Sequence, residues 1–327
     1  MRSIDELIPN FETYLKSEIM QIANRSPIGL YQPVADALTF GGKRIRPALL
    51  LHSASLFSDN TDPFLPAAMA IEIFHNFTLL HDDIMDNADI RRGKPAIHKL
   101  YGQNSAILSG DAMSIMAYQY LAGCRSTHFN ELVALFSKPA VEVCEGQQHD
   151  MEFETRNDVT IDEYIEMIRL KTAVLKAASL KIGAILANAK PSEAQLLYDF
   201  GIYTGLAFQL QDDWLDTFGD EATFGKKIGG DILENKKTYL MLKARALSSK
   251  SSSAELDRWL SASLYDPDEK IAAVTAIFSE SGAGEATRQQ MNHYHDKAVE
   301  TLSKLEICTE NKAGLTAFAG KVLSRKA

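Results

Sequence analysis

Asp82, Asp83 and Asp86 close a stretch, 64–85, that is apolar nearly all round. Asp82 and Asp86 are four residues apart and share one helical face, with Asp83 beside them. Like charges at that spacing repel, so the group needs a cation. Carboxylate oxygens without His or Cys suit a hard ion such as Mg2+, which keeps waters and takes further ligands from substrate phosphates. A solvated acidic helix end would explain one such cluster, but the sequence holds two. Gln209, Asp212, Asp213 and Asp216 fall at i, i+3, i+4 and i+7, a polar stripe on a second all-apolar stretch, 196–215. Facing each other across a bundle cavity, the two groups could hold Mg2+ ions between them.

Basic residues come in discrete clusters beside glycines. Gly41-Gly42-Lys43-Arg44-Ile45-Arg46-Pro47 reads as a turn feeding a helix that starts near Pro47. Its backbone N–H groups, with Lys43 and Arg46, would make an anion pocket. Arg91-Arg92-Gly93 follows the first aspartate group by one short loop; Gly225-Lys226-Lys227 and Lys236-Lys237 follow the second. An aspartate triplet followed by basic residues, found twice, points to Mg2+ plus a polyphosphate. His75 lies seven residues before Asp82, on the same face two turns back. Lys171-Thr172 sits mid-helix among Ile168, Leu170 and Val174, where an unpaired lysine would be costly. Its partner is either a bound diphosphate or an internal carboxylate.

The elements that carry these residues are helices. Ile4, Leu7, Ile8, Phe11, Leu15, Ile19 and Ile22 recur at three- and four-residue steps, and the same period returns over 291–305. Almost nowhere do residues alternate as a half-buried strand would. The all-round apolar stretches belong inside a bundle, so the chain is predicted to be an all-α, single-domain antiparallel helical bundle (1–327) around a central cavity. Serine-rich 248–254 and Gly282-Ala283-Gly284 read as loops between peripheral C-terminal helices, which begin at about 250. With 46% hydrophobic and 24% charged residues, 327 residues can bury a large core. A formal charge of −9 argues against a partner that is a nucleic acid. Six motif aspartates (Asp82, Asp83, Asp86, Asp212, Asp213, Asp216) carry −6 of it. Cys124, Cys144 and Cys308 have neither zinc-site spacing nor disulfide density, which suits a reducing, cytoplasmic setting. The N-terminus lacks the apolar segment of a signal peptide, and no transmembrane span is read.

Taken together, these motifs resemble those of the trans-type isoprenyl diphosphate synthases, the head-to-tail prenyltransferases, over roughly residues 38–240. Leu80-His81-Asp82 through Arg91-Arg92-Gly93 is similar to the family's first aspartate-rich motif. Phe208-Gln209 through Asp216 is similar to the second, and Gly42-Lys43-Arg44-Ile45-Arg46 to its GKRxR segment. The resemblance implies the isoprenoid synthase fold, a homodimer and three Mg2+ ions held by Asp82, Asp86 and Asp212, with Asp83 and Asp216 in support. It assigns the allylic diphosphate to Arg91, Lys171, Lys226 and Lys236, Lys226 and Lys227 being exchangeable by a one-residue shift. Isopentenyl diphosphate falls to Gly42, Lys43, Arg46, His75 and Arg92, and the reacting carbons to Thr172 and Gln209.

By the same resemblance, an aromatic residue five positions before Asp82 limits the growing chain. Phe77 stands there, about 7 Å down the helix, with Phe74 one turn deeper and the smaller Thr78 beside it. A C20 product is expected ahead of C15, with a longer-chain synthase as an alternative. A class I terpene cyclase would need neither the Lys43/Arg46/Arg92 set nor an aspartate triplet in the second motif. A non-catalytic subunit should have lost a motif. A di-iron bundle around Glu145 and His149 lacks the paired Glu-x-x-His arrangement.

Overall fold

The computed structural model describes residues 4–124, 126–220 and 228–323. Helices make up nearly all the regular structure among them. The exception is a two-stranded antiparallel ribbon, Ile90–Arg91 with Lys94–Pro95, in which Arg91 pairs with Lys94. The apolar stripe near the start forms the helix Ile4–Ala23 and buries Leu7, Phe11, Leu15 and Ile22. Each such side chain contributes about 2 kcal/mol. The two all-apolar stretches become the helices Leu65–Met85 and Pro191–Phe218, and both aspartate groups lie at their C-terminal ends.

Three expectations are corrected. Residues 250–254 are not a loop: Ser249 accepts a hydrogen bond from Ser252 N at 3.2 Å and caps the helix Lys250–Ser261. Serine is a strong N-cap, so a serine-rich stretch can begin a helix as readily as avoid one. Gly282 likewise caps the helix Ala283–Ser303, and Gly284 lies within it. Residues 62–85 are long and apolar enough to cross a membrane, although no such stretch is read from the sequence. Of the most apolar window 56% is buried within the protein, as the core helix of a bundle would be.

The chain divides into two compact units, each assembled from three separated segments. Unit 1 comprises Met1–Lys138, Ala178–Tyr198 and Glu306–Gly314. Its centre is the packing of Leu65–Met85 on Gln103–Ala122, with Ile45–Ser55 alongside. Ser53 Oγ donates to Leu180 O at 2.6 Å and ties in the second segment. Unit 2 comprises Pro139–Ala177, Asp199–Leu305 and Leu315–Ala327. One cluster there gathers Tyr164, Met167, Leu206, Leu210, Tyr239 and Met291, and a second gathers Ile232, Leu240, Val274 and Phe278.

Candidate active site

In unit 1 the first aspartate group sits where Leu65–Met85 runs out. Asp83 is buried, Asp82 half-buried and Asp86 exposed. The chain turns at Asn87 (φ 50°), and the ribbon brings Arg91 back onto the helix. Arg91 Nε donates to Asp83 Oδ1 at 2.7 Å, and its Nη2 reaches the same oxygen and Asp82 Oδ2, the latter at 3.4 Å. Arg91, expected on a diphosphate, is therefore paired with the motif itself. Burial pushes the Asp83 carboxyl above its ordinary range, while Arg91 pulls it back.

Two turns earlier on the same helix, His75 Nε2 meets Arg46 Nη1 at 3.0 Å. Arg92 folds over the glycine turn and donates to Gly41 O. A Cβ on Gly42 would lie 2.7 Å from Arg92 Nη1, and its φ of 132° favours glycine too. Gly42, Arg46, His75 and Arg92 are thus brought together, and Lys43 is exposed. Burial lowers the Arg46 guanidinium to about 10, with Glu72 opposing and the Arg92 charge reinforcing the shift. Concentrated positive charge of this kind is what an anion would relieve. The helix begins at Ile45, two residues before the expected Pro47. Arg44, between the two anion-pocket residues, has a different role. Its φ of 45° sends the side chain inward to Glu12 at 2.8 Å, to Leu38 O at 2.9 Å and to buried Glu72.

The floor expected beneath the first motif is an aromatic column. Phe77 lies 5.3 Å from Phe74 and 4.8 Å from His81, ring centre to centre. Phe74 in turn packs edge-on against Phe136 at 5.4 Å, and Phe136 against Tyr118 at 5.0 Å. Thr78 Oγ1 is turned back onto His75 O at 2.8 Å.

In unit 2, Lys171 and Thr172 occupy a π-helical turn, Arg169–Ala173, between the helices Ile161–Ile168 and Val174–Leu186. Such a turn re-aims its side chains and is common at functional sites. Two close approaches frame it. A Cβ on Gly146 would lie 2.7 Å from Lys171 Cα, and one on Gly205 would lie 2.6 Å from Ala173 Cα. Lys171 Nζ donates to Asp150 Oδ2 at 2.6 Å, so in this structure its partner is the internal carboxylate. Thr172 Oγ1 donates to Gln209 Oε1 at 3.0 Å, and Gln209 Nε2 donates to Asp213 Oδ1 at 2.9 Å. Tyr164 O–H donates to the other oxygen of Asp213. Burial, then the charge of Asp231, holds the Asp213 carboxyl well above its ordinary value. This middle aspartate is tied inward, while Asp212 and Asp216 remain half-exposed.

Asp231 was not singled out in the sequence. Its N–H donates to Asp216 Oδ2 at 2.9 Å, and its carboxylate lies 3.4 Å from Lys236 Nζ. Burial pushes Asp231 up to about 6, with Lys236 opposing and Asp216 adding. Lys236 also meets Glu234 at 3.0 Å. Lys226 lies outside the described residues. Asp150 and Tyr164 were missed as well. A faint signal existed for Tyr164, seven residues before Lys171, but Asp231 and Asp150 fall in none of the motifs read from the sequence.

Among the described residues no group of three or more His, Cys, Asp or Glu is gathered tightly enough to hold a metal ion. The donor chemistry nevertheless fits one. Both motifs offer oxygen donors without His or Cys, the pattern of a hard divalent cation. The upward shifts of buried Asp83 and half-buried Asp231 mark carboxyls that such a cation would stabilise in charged form.

Comparison with known proteins decides between the classes of enzyme that could use this chemistry. A model of the polyprenyl synthetase family matches residues 29–280. The chain belongs to the polyprenyl synthetase family. It is similar to the short chain isoprenyl diphosphate synthase of Methanothermobacter thermautotrophicus, 40% identical over 93% of each chain. It is 36% identical to the geranylgeranyl diphosphate synthase of Methanosarcina mazei, over 100% of this chain and 99% of that one. A solved structure of a geranylgeranyl pyrophosphate synthase superimposes with a TM-score of 0.94 at 46% identity, covering 100% of both chains. This polyprenyl synthetase is accordingly a prenyltransferase of the all-α isoprenoid synthase fold, and its substrates are isoprenoid diphosphates.

Proposed function

We propose that the protein condenses isopentenyl diphosphate head-to-tail with an allylic diphosphate, releasing diphosphate, and makes chiefly the C20 geranylgeranyl product ahead of C15. The observation that carries this reading is the helix Leu65–Met85. Its end presents three aspartates, and His75, two turns earlier, joins Arg46 and Arg92 in a compact cationic group. One helix of unit 1 thus offers both a metal-type carboxylate cluster and an anion pocket.

Breaking the allylic C1–O bond leaves a carbocation and a diphosphate. Bound Mg2+, three ions in the proposed site, would neutralise the oxygens as that charge develops. Asp82, Asp86 and Asp212 would hold it, with Asp83 and Asp216 in support. Lys171, Lys226, Lys236 and Arg91 take the allylic diphosphate, so Lys171 and Arg91 exchange Asp150 and Asp83 for substrate on binding. Gly42, Lys43, Arg46, His75 and Arg92 take the isopentenyl diphosphate. Thr172 and Gln209, already joined, border the reacting carbons. The isopentenyl double bond forms the new bond to C1, and the proton lost afterwards goes to the departing diphosphate.

We also propose a homodimer. The outer side of Gln103–Ala122 exposes Leu108 (61%) and Ile115 (62%), one helical face that a second copy would cover.

The test supplies isopentenyl diphosphate with dimethylallyl, geranyl or farnesyl diphosphate, with and without EDTA, and sizes the products. A Mg2+-dependent C20 product is expected. Turnover that survives complete metal removal sinks the mechanism, and hydrocarbon from farnesyl diphosphate alone would mean a cyclase.

A further inference from the structure

The helix Pro267–Glu280 carries no motif residue, yet it holds a buried charge against the loop that bears Lys236. Asp266 caps this helix, accepting from Asp268 N at 2.9 Å and from Glu269 N at 3.0 Å, and Pro267 occupies its first turn. The next residue, Lys270, is 0% exposed. Its Nζ donates to Asn235 Oδ1 at 2.7 Å and stands 4.3 Å over the Tyr265 ring. A buried ammonium on a neutral acceptor is costly, and burial lowers its pKa accordingly. An apolar side chain of similar length would pack there at less cost, so stability alone does not account for a lysine.

Its target is the residue that shapes the loop. Asn235 adopts a left-handed conformation (φ 54°), and its Nδ2 donates to Leu260 O at 3.2 Å. On either side of that inversion, Lys236 N donates to Asp231 O at 2.9 Å, and Lys237 Nζ to Asn235 O at 3.3 Å. Asp231 is in turn anchored on Asp216. The helix also presses on the loop's start. A Cβ on Gly229 (φ 83°) would lie 2.6 Å from Ile271 Cδ1.

We infer that Lys270 is a positioning residue for the reaction: by gripping Asn235 it sets the turn that aims Lys236 beside Asp231, which is itself anchored on Asp216. The inference rests on the proposed function, in which Lys236 takes the allylic diphosphate. Lys270 touches no substrate. Losing its charged hydrogen bond should raise KM for the allylic substrate about tenfold, and leave KM for isopentenyl diphosphate unchanged.

Steady-state kinetics on the full-length enzyme test this with K270M, N235G, N235D and the control V274A. Val274, one turn along, is fully buried in the same helix and touches neither Asn235 nor Tyr265 through a polar group. K270M and N235G are expected to raise the allylic KM alike, and the double variant no further. N235D keeps an acceptor for Lys270 but gives up the donor to Leu260 O, so its allylic KM should rise less than that of N235G. V274A should lower the melting temperature without moving the allylic KM. Should K270M fail to fold, N235G decides, because glycine retains the left-handed turn. An unchanged allylic KM in the folded variants, an equal rise in both KM values, or an equal rise in V274A overturns the inference. A wild-type enzyme that forms no prenyl product refutes the proposed function instead.

Discussion

Replacing Phe77 by Ala should lengthen the product by one five-carbon unit. In the proposed reading the hydrocarbon tail extends from Asp82 back along the helix Leu65–Met85, and Phe77 is the first ring it meets. The next is Phe74, three residues deeper, or about 4.5 Å along the axis. That ring is 3% exposed and braced by Phe136, so it does not swing aside. The gain is therefore room for one further unit and no more. A fully buried Phe→Ala change costs about 3–5 kcal/mol; Phe77 is only half-buried, so the variant should remain folded. Radiolabelled isopentenyl diphosphate with farnesyl diphosphate, followed by dephosphorylation and sizing, reads the outcome. Phe74→Ala alone should leave the length unchanged, and the double variant should exceed Phe77→Ala. Unchanged length in Phe77→Ala, or lengthening by Phe74→Ala alone, would refute the ordering of the two rings.

Four further outcomes are expected. Gly146→Ala forces Lys171 away from its crossing point, and since small misplacements of reacting groups cost about a hundredfold, kcat should fall by that order while circular dichroism still reports a helical protein. Arg44→Met strands Glu72, whose side chain is 3% exposed, and should lower stability by about 3–5 kcal/mol in urea unfolding. Lys43→Ala, at an exposed site, should change stability little. Burial raises the Cys124 thiol to about 11 from an ordinary 9.0, so at any pH below both values it holds about a hundredfold less thiolate than an ordinary thiol. Peptide mass spectrometry after timed alkylation at pH 8 should find Cys124 modified more slowly than exposed Cys308; equal rates would contradict that environment.

The aspartate groups were legible because a helix converts residue spacing directly into a shared face. That held for Asp82 with Asp86, and for Gln209 through Asp216. His75, seven residues before Asp82, lies on the same helix and meets Arg46 there. The same local logic failed at 250–254, where serines that break helices in their interiors serve as caps at their starts. Nor could it reach Arg44, where a single left-handed residue turns the side chain inward to Glu12 and Glu72.

What the sequence by itself determined is the inventory: an all-α chain, two carboxylate clusters on apolar helices, and discrete clusters of cations beside glycines. Periodicity and charge are properties of neighbours along the chain, and they need no fold to be read. Only the tertiary structure decided the partners. Arg91 rests on Asp83, Lys171 on Asp150, Asp213 on Tyr164, and Lys270 on Asn235. These pairs join residues up to 49 positions apart. Their distances follow from how closely helices, ribbon and turns approach, as helices do at Gly146, and no spacing along the sequence encodes that.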